Sequence, residues 1–367
     1  MSKTKFLLVM GTRPEAIKMA PVILALKNES WADVRVLATA QHRHMLDQVS
    51  QFFGIEPDID LDIMRPNQSL TTLTARLLLD LDAVLLAERP DAVLVQGDTT
   101  TVMTVALACF YHCIPIGHVE AGLRTWDMQN PFPEEANRVI AGKLALWHFA
   151  PTEGSRENLL REGVPDDEIV VTGNTVIDAL LMTAAKDLEL GINIDPKKRL
   201  VLVTSHRREN FGEPFRNICR ALRALAKNNP EVQFLYPVHP NPNIKDVAQE
   251  FLTGLPNFTL CEPLDYAPFI AAMKRAYIIL TDSGGVQEEA PALGKPVLVL
   301  RDETERPEAV EEGVVKLVGP SYDRIVEETQ RLLDDESAYR AMARGVSPYG
   351  DGHAAERIVK TLREHFA

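Results

Sequence analysis

Short runs rich in Val, Ile and Leu alternate along the chain with longer stretches in which apolar residues recur at helical spacing. That alternation predicts repeated βα units built around parallel sheets rather than a sandwich or a helix bundle. In the first half, strands are expected at residues 6–10, 34–38, 92–96, 114–119, 148–150 and 169–171, each followed by a helical pattern. The pattern starts again with 199–204 and continues through 232–236, 258–260, 277–280, 297–300 and 314–318. The expected fold is α/β, with two Rossmann-like doubly wound parallel-sheet domains facing a cleft. Residues 186–198 are polar, contain Gly191 and Pro196, and lack an apolar period, so they read as a linker between a domain at 1–185 and a domain at 199–351. A closing helix over 352–367, with Ala355, Ile358, Val359 and Leu362 on one face, is expected to pack back on the first domain. In doubly wound sheets ligands bind beyond the carboxyl ends of the strands, which directs attention to the βα loops.

Composition narrows the function classes. The chain has 367 residues, 46% of them hydrophobic and 25% charged, enough for two folded cores and unlike a disordered chain. Thirty-nine basic against 52 acidic residues give a net charge of −13, which argues against nucleic acid or a membrane surface as partner. An anionic ligand would have to meet positive charge gathered locally. No run approaches the roughly 18 uncharged apolar residues of a membrane span, and Lys3 and Lys5 lead straight into a strand rather than a signal peptide, so a cytoplasmic protein is expected. Cys109, Cys113, Cys219 and Cys261 form no CxxC pair and read as buried reduced thiols.

The loops carry the chemistry. After the first strand comes Gly11-Thr12-Arg13-Pro14-Glu15-Ala16-Ile17-Lys18, a helix start with Pro14 in its first turn and with Arg13 and Lys18 nearby, suited to an anion. It is neither a GxGxxG nor a GxxxxGK[ST] motif, which disfavours nicotinamide cofactors and P-loop hydrolysis. Asp98, Glu120 and Glu134 all come from loops on one rim of one sheet, Asp98 after one strand and Glu120 and Glu134 after the next; each alone has a bland reading as a helix cap, an ion-pair partner or a dipole complement, but three together suggest proton chemistry. In the second half, Ser205-His206-Arg207-Arg208 supplies an imidazole and two guanidinium groups, and Ser283-Gly284-Gly285 opens a helix where backbone can approach a diphosphate. Glu289 follows at a distance suited to ribose hydroxyls, with Arg306 beyond it.

These segments resemble the bacterial non-hydrolysing UDP-N-acetylglucosamine 2-epimerases. The likeness rests on Gly11-Thr12-Arg13-Pro14-Glu15, Gly97-Asp98-Thr99-Thr100, His118-Val119-Glu120-Ala121-Gly122-Leu123-Arg124-Thr125, Pro133-Glu134-Glu135-Ala136-Asn137-Arg138, His206-Arg207-Arg208-Glu209-Asn210, Asp282-Ser283-Gly284-Gly285 and Glu305-Arg306-Pro307-Glu308, in family order over essentially the whole chain. The resemblance implies a glycosyltransferase-B-like fold, a homodimer, and reversible conversion of UDP-N-acetylglucosamine to UDP-N-acetylmannosamine without nicotinamide, metal or other cofactor. It implies catalytic roles for Asp98, Glu120, Glu134 and His206, with acid and base unassigned. Substrate contacts are implied at Arg13, Lys18, Leu264, Phe269, Ser283, Gly284, Gly285, Glu289 and Arg306, the first two toward phosphate and Leu264 and Phe269 around uracil. A second, activating UDP-N-acetylglucosamine would involve Gln41, His42, His44, Arg65, Glu135, Arg208 and His239, although His44 and Asn67 depart from the common pattern. A hydrolysing relative, a glycosyltransferase of the same fold and a non-catalytic nucleotide-sugar sensor are the competing readings.

Overall fold

The computed structural model describes residues 3–39, 43–65 and 68–366. The chain divides into two compact units, one of Met1–Ala179 with Tyr349–Ala367 and one of Leu180–Pro348. The first is built on seven parallel strands: β1 (Thr4–Met10), β2 (Ala32–Ala38), β3 (Ile59–Asp60), β4 (Ala92–Gln96), β5 (Ile116–Val119), β6 (Trp147–Ala150) and β7 (Ile169–Val171). Their order in the sheet is β3-β2-β1-β4-β5-β6-β7. The second has six: β8 (Arg199–Thr204), β9 (Val232–Pro237), β10 (Phe258–Cys261), β11 (Ile278–Thr281), β12 (Val297–Val299) and β13 (Val315–Leu317), ordered β10-β9-β8-β11-β12-β13. Both sheets are doubly wound, and their switch points lie beside β1 and β4 and beside β8 and β11.

The apolar runs form strands because both faces of each sheet are covered. Every residue of β4 is buried, and Leu7, Val9, Leu37, Val93 and Val95 join Leu73, Leu77, Leu81 and Leu85 of the helix Leu70–Glu88 in one core. In the second unit, Phe215, Ile218, Leu222 and Leu225 of the helix Glu213–Asn228 pack with Val201, Val203, Phe234 and Tyr236. The helix Ala354–Phe366 belongs to the first unit; Phe366 stands edge-on to Phe6 with ring centroids 5.4 Å apart, and the Ala355 N–H donates to Asp178 Oδ1 at 2.8 Å.

Several strand bounds shift by one or two residues from the sequence reading, and three differences have a plain physical cause or consequence. β3 was not anticipated, because two residues at a sheet edge leave no readable alternation. β5 begins at Ile116 rather than 114, since Pro115 has no N–H to give a ladder. Cys109 and Cys219 are buried, but Cys113 is exposed in a left-handed turn (φ 56°) after the helix Thr100–Tyr111, and Cys261 is half-buried at the end of an edge strand. No helix among the described residues is long and apolar enough to cross a membrane.

Candidate active site

In the first unit, the loops after β1, β4 and β5 form one polar network. Thr12 caps the helix Arg13–Lys27, and Glu15 completes a reciprocal capping box. The Glu15 carboxylate accepts from the Gly11 N–H at 2.7 Å, the Thr12 N–H at 2.5 Å and Thr99 Oγ1 at 2.6 Å, so it joins the first loop to the loop after β4. Burial raises the Glu15 carboxyl above the usual glutamate range, against these donors. Gly11 must be glycine: a Cβ there would lie 2.8 Å from Thr39 Oγ1 and 2.9 Å from Glu15 Oε2.

Glu120 sits at the centre of the network. Its backbone is left-handed (φ 63°), a conformation that costs a non-glycine residue of order 1–3 kcal/mol and persists only where surrounding contacts enforce it. Those contacts are present. Lys18 Nζ lies 2.7 Å from both carboxylate oxygens, Gln96 Nε2 donates to Oε2, and Asn174 Nδ2 donates to Oε1 at 2.9 Å. Lys18, expected at a phosphate, thus pairs with Glu120 here. The buried His118 on β5 reaches the neighbouring loop after β4 through Nε2, 2.7 Å from the Gly97 carbonyl, and burial lowers its pKa to about 4, leaving it neutral.

Asp98 follows β4. Arg138 Nη2 lies 2.8 Å from its Oδ2, and Asn137 Nδ2 donates to its carbonyl at 2.9 Å. Burial raises the Asp98 carboxyl above the usual range; Arg138 opposes that effect, and the nearby charges of Glu120 and Glu134 reinforce it. Glu134 is half-buried at the first position of the helix Glu134–Leu144, within electrostatic reach of Asp98. The three carboxylates singled out in the sequence therefore do gather at one place, beside Lys18 and Arg138. Arg13 is half-buried at the start of the first helix.

The second unit gathers cations around a helix start. Asp282, fully buried at the end of β11, accepts from Ser205 Oγ at 2.9 Å, the His206 N–H at 2.9 Å, the Arg207 N–H at 3.0 Å and Asn210 Nδ2 at 3.1 Å. These bonds fix the loop after β8. His206 projects from it with 42% of its side chain exposed; it stacks on His239 at 5.9 Å between ring centroids and lies 3.7 Å from Asp282. Burial lowers the His206 pKa, Asp282 works against that, and Arg207 and His239 add to it.

Ser283 precedes the helix Gly284–Ala292, and its hydroxyl does not cap it. A Cβ on Gly284 would lie 3.7 Å from Arg207 Nη2 and 3.9 Å from Arg306 Cζ, so two guanidinium groups flank N–H groups free of a side-chain cap. Nothing lies within 4 Å of a Cβ on Gly285. Such a turn suits a diphosphate. Arg306 pairs with Glu288, Glu289 is buried one residue on, and Leu264 and Phe269 are half-buried before and within the helix Tyr266–Arg275.

Of the residues assigned to a second ligand site, Gln41 and His42 lie outside the described residues, as do Asn67 and the side chain of His44. Arg65 Nη1 donates to the Asp62 and Met64 carbonyls. Glu135 is 1% exposed, and its Oε1 accepts from the Thr125 and Trp126 N–H groups at 3.0 and 2.9 Å. Arg208 and His239 are exposed.

A family model described as UDP-N-acetylglucosamine 2-epimerase matches residues 24–363. The chain belongs to that family. The Yersinia pestis member, named UDP-N-acetylglucosamine 2-epimerase, is 56% identical across 98% of this chain and 99% of its own. The Escherichia coli K12 member of the same name is 54% identical over the same shares. A crystal structure of the Neisseria meningitidis UDP-GlcNAc 2-epimerase bound to UDP-GlcNAc is 50% identical, with a TM-score of 0.88 over 98% of this chain and 100% of that one. The glycotransferase of kitacinnamycin, 13% identical with a TM-score of 0.65 over 99% of this chain and 100% of its own, shares the fold alone. The two-sheet, glycosyltransferase-B-like architecture is thus common to the epimerase family and to this transferase.

The sequence reading missed the residues that hold the site together. Asp282 closes an apolar strand as Asp98 does, and an acidic group in that position needs partners, which was the available signal. Gln96 and Asn174 carried none, because a single buried amide looks the same in a turn as beside a carboxylate.

Proposed function

We propose that this protein is a non-hydrolysing UDP-N-acetylglucosamine 2-epimerase, interconverting UDP-N-acetylglucosamine and UDP-N-acetylmannosamine in the cytoplasm as a homodimer and supplying N-acetylmannosamine units for cell-surface polysaccharide. The observation that carries the reading is the gathering of Asp98, Glu120 and Glu134 around Lys18 and Arg138 in a member of this family. A nucleotide-sugar sensor has no use for such a cluster.

The sugar's C2 proton is not acidic, so its removal has to accompany another event. A carboxylate takes that proton while the C1–O bond to the diphosphate breaks; the C–H electron pair becomes the C1=C2 bond of a 2-acetamidoglucal, and UDP leaves with the C–O pair. Delivery of a proton to the other face of C2 and return of the UDP oxygen to C1 complete the inversion. Asp98 is the carboxyl best suited to carry the proton, because its raised pKa brings it toward the working pH. Glu120, engaged by Lys18, Gln96 and Asn174, holds the Lys18 ammonium in place. Arg306, His206 and the Ser283-Gly284-Gly285 turn receive the leaving diphosphate, keeping UDP beside the glucal for re-addition. Arg13, Leu264, Phe269 and Glu289 complete the substrate contacts. Activation by a second UDP-N-acetylglucosamine through Arg208 and His239 belongs to the same proposal.

The test is incubation with UDP-N-acetylglucosamine in deuterated water, followed by proton NMR of the sugar. The expected product is UDP-linked N-acetylmannosamine with solvent deuterium at C2. Free N-acetylmannosamine with UDP as the main products would make the enzyme a hydrolysing one, and an unchanged sugar would leave only binding. Replacing Arg306 with Ala is expected to weaken UDP binding about 10- to 150-fold, the worth of one charge-assisted contact, as calorimetry would measure.

A further inference from the structure

The chain passes from the first unit to the second between Ala179 and Leu180 and returns between Pro348 and Tyr349. Asn174 lies just before the first passage and touches the second. Its N–H donates to the Tyr349 carbonyl at 2.6 Å. Its Oδ1 accepts from the Val176 N–H at 3.1 Å, in the first turn of the helix Thr175–Ala184, and its Nδ2 donates to Glu120 Oε1 at 2.9 Å. The residue is buried, and its surroundings leave it no slack. Gly173 is left-handed (φ 88°), and a Cβ on it would lie 3.2 Å from Gly350 Cα; a Cβ on Gly350 would lie 3.4 Å from both the N and the O of Asn174.

We propose that Asn174 is the positioning residue for the Glu120 carboxylate and ties it to the two chain passages between the units. The amide fits that role because it divides its polar atoms: Oδ1 starts a helix, the N–H secures the returning chain, and Nδ2 is left for the carboxylate. An aspartate would keep the first two functions and lose the third. The proposal rests on the epimerase reading above and gives it a structural cause, since displacement at either passage moves the group that holds Glu120. Among the described residues, the charged and titratable groups facing Glu120 include Lys18 from the helix Arg13–Lys27, Asp98 from the loop after β4, and His118 on β5.

The experiment uses the full chain with UDP-N-acetylglucosamine and compares wild type with Asn174→Asp and Asn174→Ser. Both replacements keep an oxygen for the Val176 N–H; Asn174→Asp puts an acceptor where the donor to Glu120 stood, and Asn174→Ser shortens the side chain so that its hydroxyl no longer occupies the Nδ2 position. Asn174→Asp also places a second carboxylate against Glu120, which favours the protonated form. The expected result is a kcat at least about 10-fold lower with KM within roughly 3-fold, as when the Glu120–Lys18 pair beside the proton-transferring Asp98 is displaced while the substrate contacts are kept. The acid limb of the kcat profile should move to higher pH in Asn174→Asp, because Glu120 loses a donor to its ionised form and gains a like charge. Thermal melting and UDP affinity should stay near wild type in at least one variant. Wild-type kcat and acid limb in both variants would overturn the proposal. So would kcat losses matched by lost melting temperature and UDP affinity with the acid limb unmoved, which would make Asn174 only a helix cap. Wild-type protein that leaves the sugar unchanged would overturn the epimerase reading, and this inference with it.

Discussion

Replacing Asp98 with Asn is expected to lower turnover by about 10²- to 10⁴-fold, the range for removing a positioned proton-transfer group. The substitution preserves shape. The side-chain oxygen that meets Arg138 survives, and Asn137 binds the Asp98 main chain, which the change does not touch. What disappears is the ability to exchange a proton with the sugar at C2. Arg138 is left facing an amide, so a modest change in KM is tolerable, but the loss should lie mainly in kcat. Initial rates of epimerisation over a range of substrate concentrations decide the matter. Near-normal turnover would reduce Asp98 to a surface partner of Arg138, and proton chemistry would have to move to Glu134.

The second large effect is expected from Asp282→Ala. The carboxylate is fully buried and gathers two side-chain donors and two main-chain N–H groups from the loop after β8, so its removal leaves several buried donors without a partner. Breaking a buried network of this kind costs about 3–5 kcal/mol. Trp31, Trp126 and Trp147 all lie in the first unit, so tryptophan fluorescence reports on the wrong part of the chain. Hydrogen exchange read by mass spectrometry over residues 199–210 is the suitable probe, and protection there should fall while β1 and β4 stay protected. UDP affinity should fall with it, because Arg207 flanks the helix start at Gly284 from that loop. Unaltered exchange would mean that the loop holds its shape without Asp282.

The two doubly wound sheets were legible in the sequence because strands buried on both faces read as uninterrupted Val, Ile and Leu runs, and β4 and β8 were placed to the residue. β3 was not, since a two-residue edge strand is defined by its neighbour rather than by its own pattern. Asp98 and Glu120 were visible for a related reason: an acidic residue at the end of a buried strand contradicts its surroundings. The amides that orient them were not, because Gln96 and Asn174 contradict nothing. The pairing of Lys18 with Glu120 was also hidden; a lysine one turn and a half into a helix points where tertiary structure sends it, and sequence alone gave it to a phosphate.

The first unit is discontinuous in sequence, and this sets an order of events during synthesis. Residues of the second unit form one unbroken segment and can complete their sheet as soon as that segment has emerged from the ribosome. The first unit, begun earlier, must wait. Its helix Ala354–Phe366 supplies the Phe366 ring against Phe6 and Trp147 and the backbone donors for Asp178, and none of these exists until the chain has passed through the whole second unit and that helix is made. Until then Phe6 and Trp147 have an uncovered side, and the nascent protein carries a finished second half attached to an unfinished first.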